Sequence, residues 1–204
     1  GWVYVMIGNA AAAGADRGLV AHSPVGQPQQ GALLRFSPDF QRVEAVAHGF
    51  RNAYDFDFYS QGHLLTVDSD GERVHHLPGY AATRLFDVAV GGHHGWMVRD
   101  AARSWSRQHY FVDTVERVVE FGRGSPTGVV TYRHRQFPER YRHGVFNACW
   151  SLGVVYFVPL RGRGSTQNGD VEIFLRATGT DGFAPVALAV SPSGELLVAI
   201  GGRQ

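Results

Sequence analysis

A chain of 204 residues with 44% apolar content and a net charge of +1 is suited to a globular domain and carries no electrostatic footprint for nucleic acid. It has no run of about 18 apolar residues that would cross a membrane as a helix, no recognisable signal peptide and no charge block. All 19 basic residues are arginine, which removes any lysine Schiff base or lysine general base, and the single cysteine, Cys149, excludes an intrachain disulfide or a cysteine-rich metal site.

The 26 glycines and nine prolines are dispersed, which favours short strands and tight turns over helices. Gly1 to Ile7 reads as an apolar strand whose hairpin partner would precede residue 1, so the numbered chain is expected to belong to something longer. Ala10 to Gln30 is rich in Ala, Gly, Pro and Gln and reads as a long loop. Gly31 to Phe36 and Arg42 to Ala47 read as two strands joined by a Ser-Pro-Asp turn. Phe56 and Phe58 alternate with Asp57 and Tyr59, a turn follows through Ser60, Gln61 and Gly62, and Leu64, Leu65 and Val67 form the returning strand of a hairpin. Thr83 to Val90 continues that unit, and Gly91-Gly-His-His-Gly-Trp96 reads as a turn. Residues 97 to 117 are polar and irregular, with a weak helical pattern at most. Four strands then follow closely, Gly128 to Arg133, Gly144 to Trp150, Val154 to Val158 and Val171 to Arg176, before a last hairpin from Ala187 to Ile200.

The hairpin frame repeats. Around Gly194, Leu196 and Leu197 stand where Leu64 and Leu65 stand around Gly62, and Val190 stands where Phe58 does; Gly153 anchors a looser copy. Repeats of a strand-turn-strand unit point to a radial or stacked β architecture, and four-stranded units of about 40 to 50 residues are the blades of a β-propeller. The expected fold is therefore all-β, a β-propeller of four-stranded blades at about 1–47, 53–96 and 128–177 with a fourth begun at 183–204. Such an arc does not close a ring alone, so blades missing on both sides, or an open arc capped by another chain, are expected.

Several segments together resemble the six-bladed quinoprotein glucose/sorbosone dehydrogenase propellers, and more closely their membrane-bound dehydrogenase relatives. They are Trp2-Val-Tyr-Val-Met-Ile-Gly-Asn9, Gly49-Phe-Arg-Asn-Ala-Tyr54, Thr66-Val-Asp-Ser-Asp70, Thr83-Arg84, Gly91-Gly-His-His-Gly-Trp96, Gly124-Ser-Pro-Thr-Gly128 and Ala199-Ile-Gly-Gly-Arg203. The resemblance implies oxidation of a sugar or alcohol C–OH, a pyrroloquinoline quinone (PQQ) cofactor, electron transfer to a quinone or cytochrome partner or a membrane redox complex, and a periplasmic or other extracytoplasmic location. By the same resemblance Arg51, Asn52, Tyr54 and Arg84 are the cofactor-side candidates. A guanidinium offers a rigid fork to quinone or carboxylate oxygens, and an amide both donates and accepts. Asp68 and Asp70, with Glu72 beyond them, are candidate Ca²⁺ ligands, since a hard cation takes several oxygens; a solvated Asp-Ser-Asp-Gly turn explains them equally. The family's catalytic histidine would lie before residue 1, and its cofactor lysine has no counterpart in a lysine-free chain. The competing reading is therefore a non-catalytic propeller that docks or assembles a larger redox complex, and a third is a calcium-dependent lactonase-type propeller.

The remaining candidates are weaker. The pairs His75-His76 and His93-His94 would point to opposite faces of a strand and so share no metal readily. Gly122 to Gly128 lacks the strand-to-helix context of a phosphate loop. Trp96, Trp150, Tyr156 and Phe157 read as core between blades, Cys149 as a buried, inert thiol, and Ser125 and Thr127 as turn residues able to aim hydroxyls at the channel.

Overall fold

A computed structural model describes residues 1–11, 22–59, 62–72, 80–97, 105–106, 111–180 and 182–202. Strands β1 (Val3–Ile7), β2 (Gly31–Phe36) and β3 (Val43–Phe50) form a three-stranded antiparallel sheet in chain order. The second sheet holds β4 (Phe56–Phe58), β5 (Leu64–Asp68) and β6 (Thr83–Asp87). A short pair, β7 (Trp96–Met97) with β8 (Trp105–Ser106), precedes β9 (Val119–Gly122), which completes the second sheet as its fourth strand. The third sheet runs β10 (Pro126–Thr131), β11 (Val145–Cys149), β12 (Val154–Val158) and β15 (Glu172–Arg176), with the hairpin β13 (Leu160–Arg163) and β14 (Thr166–Gly169) inserted before its last strand. β16 (Pro185–Val190) and β17 (Leu196–Ile200) form the last hairpin.

Side-chain alternation explains how these sheets stack. In β5 every residue is buried, because the strand is covered on both faces. Leu64, with Phe86 from β6, packs against Leu33, Val46 and Phe50 of the first sheet. Leu65, Val67 and Leu85 point the other way, onto Val129, Val145 and Val158 of the third. The third sheet repeats the arrangement, turning Phe146, Val155 and Phe157 toward Leu188, Val190, Leu196 and Val198 of the last hairpin. Sheets packed face to face in series, with their first strands β4, β10 and β16 side by side, make an arc of a β-propeller. Of the aromatics expected between blades, Trp96, Tyr156 and Phe157 are buried, whereas Trp150 stands 39% exposed at the turn after β11.

Some expected elements differ. The strand at Val119–Gly122 lies beyond the 53–96 limit expected for its unit, and its four residues carry a burial alternation too short to stand out. The Gly153 turn joins the second and third strands of its sheet, whereas Gly62 and Gly194 turn between the first and second strands of theirs. The segment Gly91–Trp96 is more than a turn. His93 bridges in parallel to His48 of β3 and to Thr114, and the backbone bonds Gly91 N–H to Val46 O (2.7 Å) and His94 N–H to His48 O (2.8 Å) stitch the outer edge of the first sheet to the second. Close approach makes that stitch depend on Gly49. Its φ is +77°, and an added Cβ would fall 2.5 Å from the His93 ring and 2.8 Å from the His94 nitrogen. Gly49→Ala should lower stability by about 2 kcal/mol or more in urea unfolding, since both backbone strain and overlap oppose the methyl. An unchanged midpoint would show the two sheets to be more loosely joined than this.

Candidate functional site

β3 rises and β5 returns at one end of the arc, and the loop 51–55, the turn 69–72 and the approach to β6 meet there. The organising group is Asp68, the last residue of β5 and fully buried. Its Oδ2 accepts the Arg51 N–H (2.8 Å), and its Oδ1 accepts those of Asn52 (2.8 Å) and Ser69 (2.9 Å). The Ser69 hydroxyl adds a bond to the Asn52 carbonyl (3.1 Å), and the Asn9 N–H bonds the Arg51 carbonyl (2.7 Å). One carboxylate thus holds two consecutive amides of a loop that no sheet ladder reaches, which satisfies buried donors and fixes the loop's conformation.

Clamped in this way, the loop directs its side chains differently. The Arg51 guanidinium pairs with Glu72 Oε1 at 2.7 Å and lies 5.5 Å from the Trp96 ring, a cation–π contact on one side of a group that is 20% exposed. Asn52 is exposed, with its Oδ1 over Gly8, where a Cβ would approach to 2.5 Å. Tyr54 is 65% exposed.

Arg84 departs from expectation. It pairs across the ladder with Asp68, is only 4% exposed, and sits 3.8 Å from the Asp68 carboxylate with its guanidinium 5.1 Å from the Phe86 ring. Its Nε and Nη2 have no hydrogen-bond partner among the described residues. Burial lowers its pKa and raises that of Asp68, while their mutual attraction opposes both shifts. Arg84 therefore serves as a counter-ion beneath the loop, and its side chain does not reach the surface that Arg51 and Asn52 present.

Nor does the arrangement at Asp68 and Asp70 show a calcium site among the described residues. Both oxygens of Asp68 face N–H donors and a guanidinium, which repel a cation. Asp70 turns to other partners, accepting the Tyr80 hydroxyl (3.1 Å) with Arg123 at 3.6 Å. Burial and the Asp70 carboxylate push the Tyr80 phenol up to about 12. Among the described residues no group of three or more His, Cys, Asp or Glu side chains could hold a metal ion.

His75 and His76 lie outside the described residues. His94 is fully buried, its Nδ1–H donating to the His48 carbonyl (3.0 Å) and its ring stacked on Phe50 at 4.2 Å. Burial brings its pKa down to about 3, so the ring is neutral. The Thr127 hydroxyl donates to the Pro185 carbonyl (2.8 Å) and ties β10 to β16, and the Ser125 N–H bonds the Ser151 hydroxyl (3.0 Å).

Two arrangements escaped the sequence reading. Along the inner wall, Asp55 and Asp57 accept the Val129 N–H (2.9 Å) and Thr131 N–H (2.8 Å) from the edge of β10, so a groove of about 530 Å³ between β4, β10 and β16 is walled by carboxylates already committed. The alternation Asp55, Asp57 was its signal, polar on the edge-facing side of an inner strand. The other is His63, whose Nδ1 lies 2.9 and 3.0 Å from the two oxygens of Asp87. A His after a turn glycine and an Asp ending the partner strand were visible, but their meeting needs the register of β5 on β6.

No protein-family model matches the sequence, and no curated protein matches it significantly. Solved structures do. A protein described as an oxidoreductase (glucose dehydrogenase) from Thermus thermophilus superposes with a TM-score of 0.66 at 18% identity, over 97% of this chain and 55% of its own. The PQQ-bound aldose sugar dehydrogenase of Streptomyces coelicolor gives 0.61 at 17% identity, over 97% of this chain and 52% of its own. The soluble aldose sugar dehydrogenase of Escherichia coli, in its apo form, gives 0.62 at 16% identity over 96% and 57%. The chain has the fold of these sugar dehydrogenases and spans a little over half of their length.

Proposed function

We propose that this arc is the cofactor-side portion of a dehydrogenase that oxidises a sugar or alcohol C–OH, with Arg51 and Asn52 as the contacts to a PQQ-type quinone and Tyr54 beside them. The observation that carries the reading is the Asp68 clamp, which spends a buried carboxylate on the backbone of Arg51 and Asn52 and so fixes the residues that bear a guanidinium and an amide on one loop. That donor set suits an oxygen-rich, carboxylated planar group, because a guanidinium binds paired oxygens as a fork while the amide supplies a donor and an acceptor. The PQQ carried by the Streptomyces neighbour is the same kind of group. When bound, such a quinone would supply the hydride acceptor. Glu72, already paired with Arg51, sets the guanidinium's orientation and would have to share it with the incoming oxygens. The fate of the electrons, a quinone or cytochrome acceptor, and an extracytoplasmic setting belong to the same proposal.

The test is an absorption titration of the full-length protein with PQQ. Saturable binding that weakens about 10- to 100-fold in Arg51→Ala, and less in Asn52→Ala, is the expected result for a charge-assisted contact. Absence of binding, or equal affinity in both variants, would turn the reading to a non-catalytic docking propeller.

A further inference from the structure

At the opposite end of β5 from Arg51, a cleft of about 350 Å³ opens between the second and third sheets. His63 and Asp87 form its polar floor, Val88, Val90 and Val115 give it an aliphatic wall, and Thr166 reaches over it from the β13–β14 hairpin. We propose that this cleft is a second ligand site, which takes a small neutral molecule through its hydroxyl groups, with the His63 imidazole as the principal polar contact.

The chemistry of the pair dictates the ligand. Asp87 is buried, and as a carboxylate it can only accept, so His63 Nδ1, within 3.0 Å of both its oxygens, carries the proton. Nε2 is therefore the ring nitrogen left to a ligand, and a hydroxyl, which both donates and accepts, can meet it whether or not it carries a proton, with the ring held in place by the carboxylate behind it. The other charged group of the lining, Glu116, also accepts, and Arg163 neutralises it from the hairpin at 2.8 Å. Both carboxylates of the lining already have a partner, so the cleft calls for an uncharged ligand whose groups can both donate and accept. An anion would face the two carboxylates of the lining, and a cation would meet carboxylates already paired. The aliphatic wall, with Val90 70% exposed, suits the C–H face of a polyol such as a monosaccharide, and the volume lies within the range of about 300–1,000 Å³ typical of small-molecule sites.

This site is separate from the one proposed above. His63 immediately precedes β5 and Asp68 ends it, which sets them about 17 Å apart at roughly 3.3 Å per residue, so the pair cannot act on a molecule held by Arg51. The test reads the His63 ring itself. In ¹H–¹³C spectra of the full-length protein, with the His63 signals assigned from His63→Phe, D-glucose should shift those signals saturably in the millimolar range. Inorganic phosphate should not. Asp87→Asn, which loosens the hold on the ring, should weaken the glucose response about tenfold, a lost hydrogen bond or somewhat more. Arg51→Ala should leave the titration unchanged, which separates this site's fate from that of the quinone reading. A wild-type protein whose His63 signals ignore glucose, or follow phosphate equally, overturns the proposal.

Discussion

Replacing Asp68 with asparagine should destabilise the fold by about 3–5 kcal/mol, the cost of breaking a buried, hydrogen-bonded charge network. The carboxamide keeps the shape but turns an NH₂ group toward N–H donors, either Arg51 on the Oδ2 side or Asn52 and Ser69 on the Oδ1 side. It also leaves the Arg84 guanidinium in the interior without its counter-ion, at a place where Nε and Nη2 already lack acceptors among the described residues. Against a total stability of about 5–15 kcal/mol for a typical domain, such a loss is visible in any denaturant titration. The control is Asp70→Asn. Asp70 has one hydrogen bond from Tyr80 and a 3.6 Å approach from Arg123, whose side chain is 55% exposed, so its replacement should cost about 1–2 kcal/mol. Equal losses for the two variants would mean that Asp68 is an ordinary buried acid and that Arg51 and Asn52 owe their positions to something else.

Acid should unfold the protein through His94. Its pKa is about 3 in the fold against the ordinary 6.5, so above pH 6.5 the ring is neutral in both states and its contribution to stability is fully present. As the pH falls below 6.5 the unfolded chain takes up a proton that the folded one refuses. Stability then declines by about 1.4 kcal/mol per pH unit until roughly pH 3, about 5 kcal/mol in all for the difference of about 3.5 between the two values. Burial is the main cause, and His93, His48 and Arg84 add like charge in the same direction. His94→Phe keeps a ring between Phe50 and Phe86 but forfeits the Nδ1–H bond to the His48 carbonyl. The variant should therefore be about 1–2 kcal/mol less stable at pH 7.5 and show a flatter acid limb, the two curves crossing at about pH 5–6. Parallel curves would assign the acid sensitivity to other groups.

Much of the fold was legible because it rests on local patterns. Alternation in Phe56 to Tyr59 and the apolar runs around Leu64, Val145, Val154 and Leu196 each mark a strand, and turn glycines between them set the hairpins. Their recurrence was enough for a propeller, since sheets with two apolar faces must stack in series. The candidate site was legible in part. The sequence resemblance picked out Arg51 and Asn52, whose role toward a quinone remains the proposal made above, while the clamp that Asp68 places on their backbone was not legible in the sequence.

Residue identity and period determined by themselves which segments become strands and which side chains face a core, because both depend on neighbours within a few positions. Only the tertiary structure decided what the charged residues do. Asp68 meets amides 17 and 16 residues earlier, His63 meets Asp87 across 24, and Asp55 meets Val129 across 74. Those pairings follow from strand register and from the packing of one sheet on the next, which no local pattern encodes. The same long-range geometry turned Arg84 inward to balance the buried Asp68, because a carboxylate out of reach of water must take its partners from the chain around it.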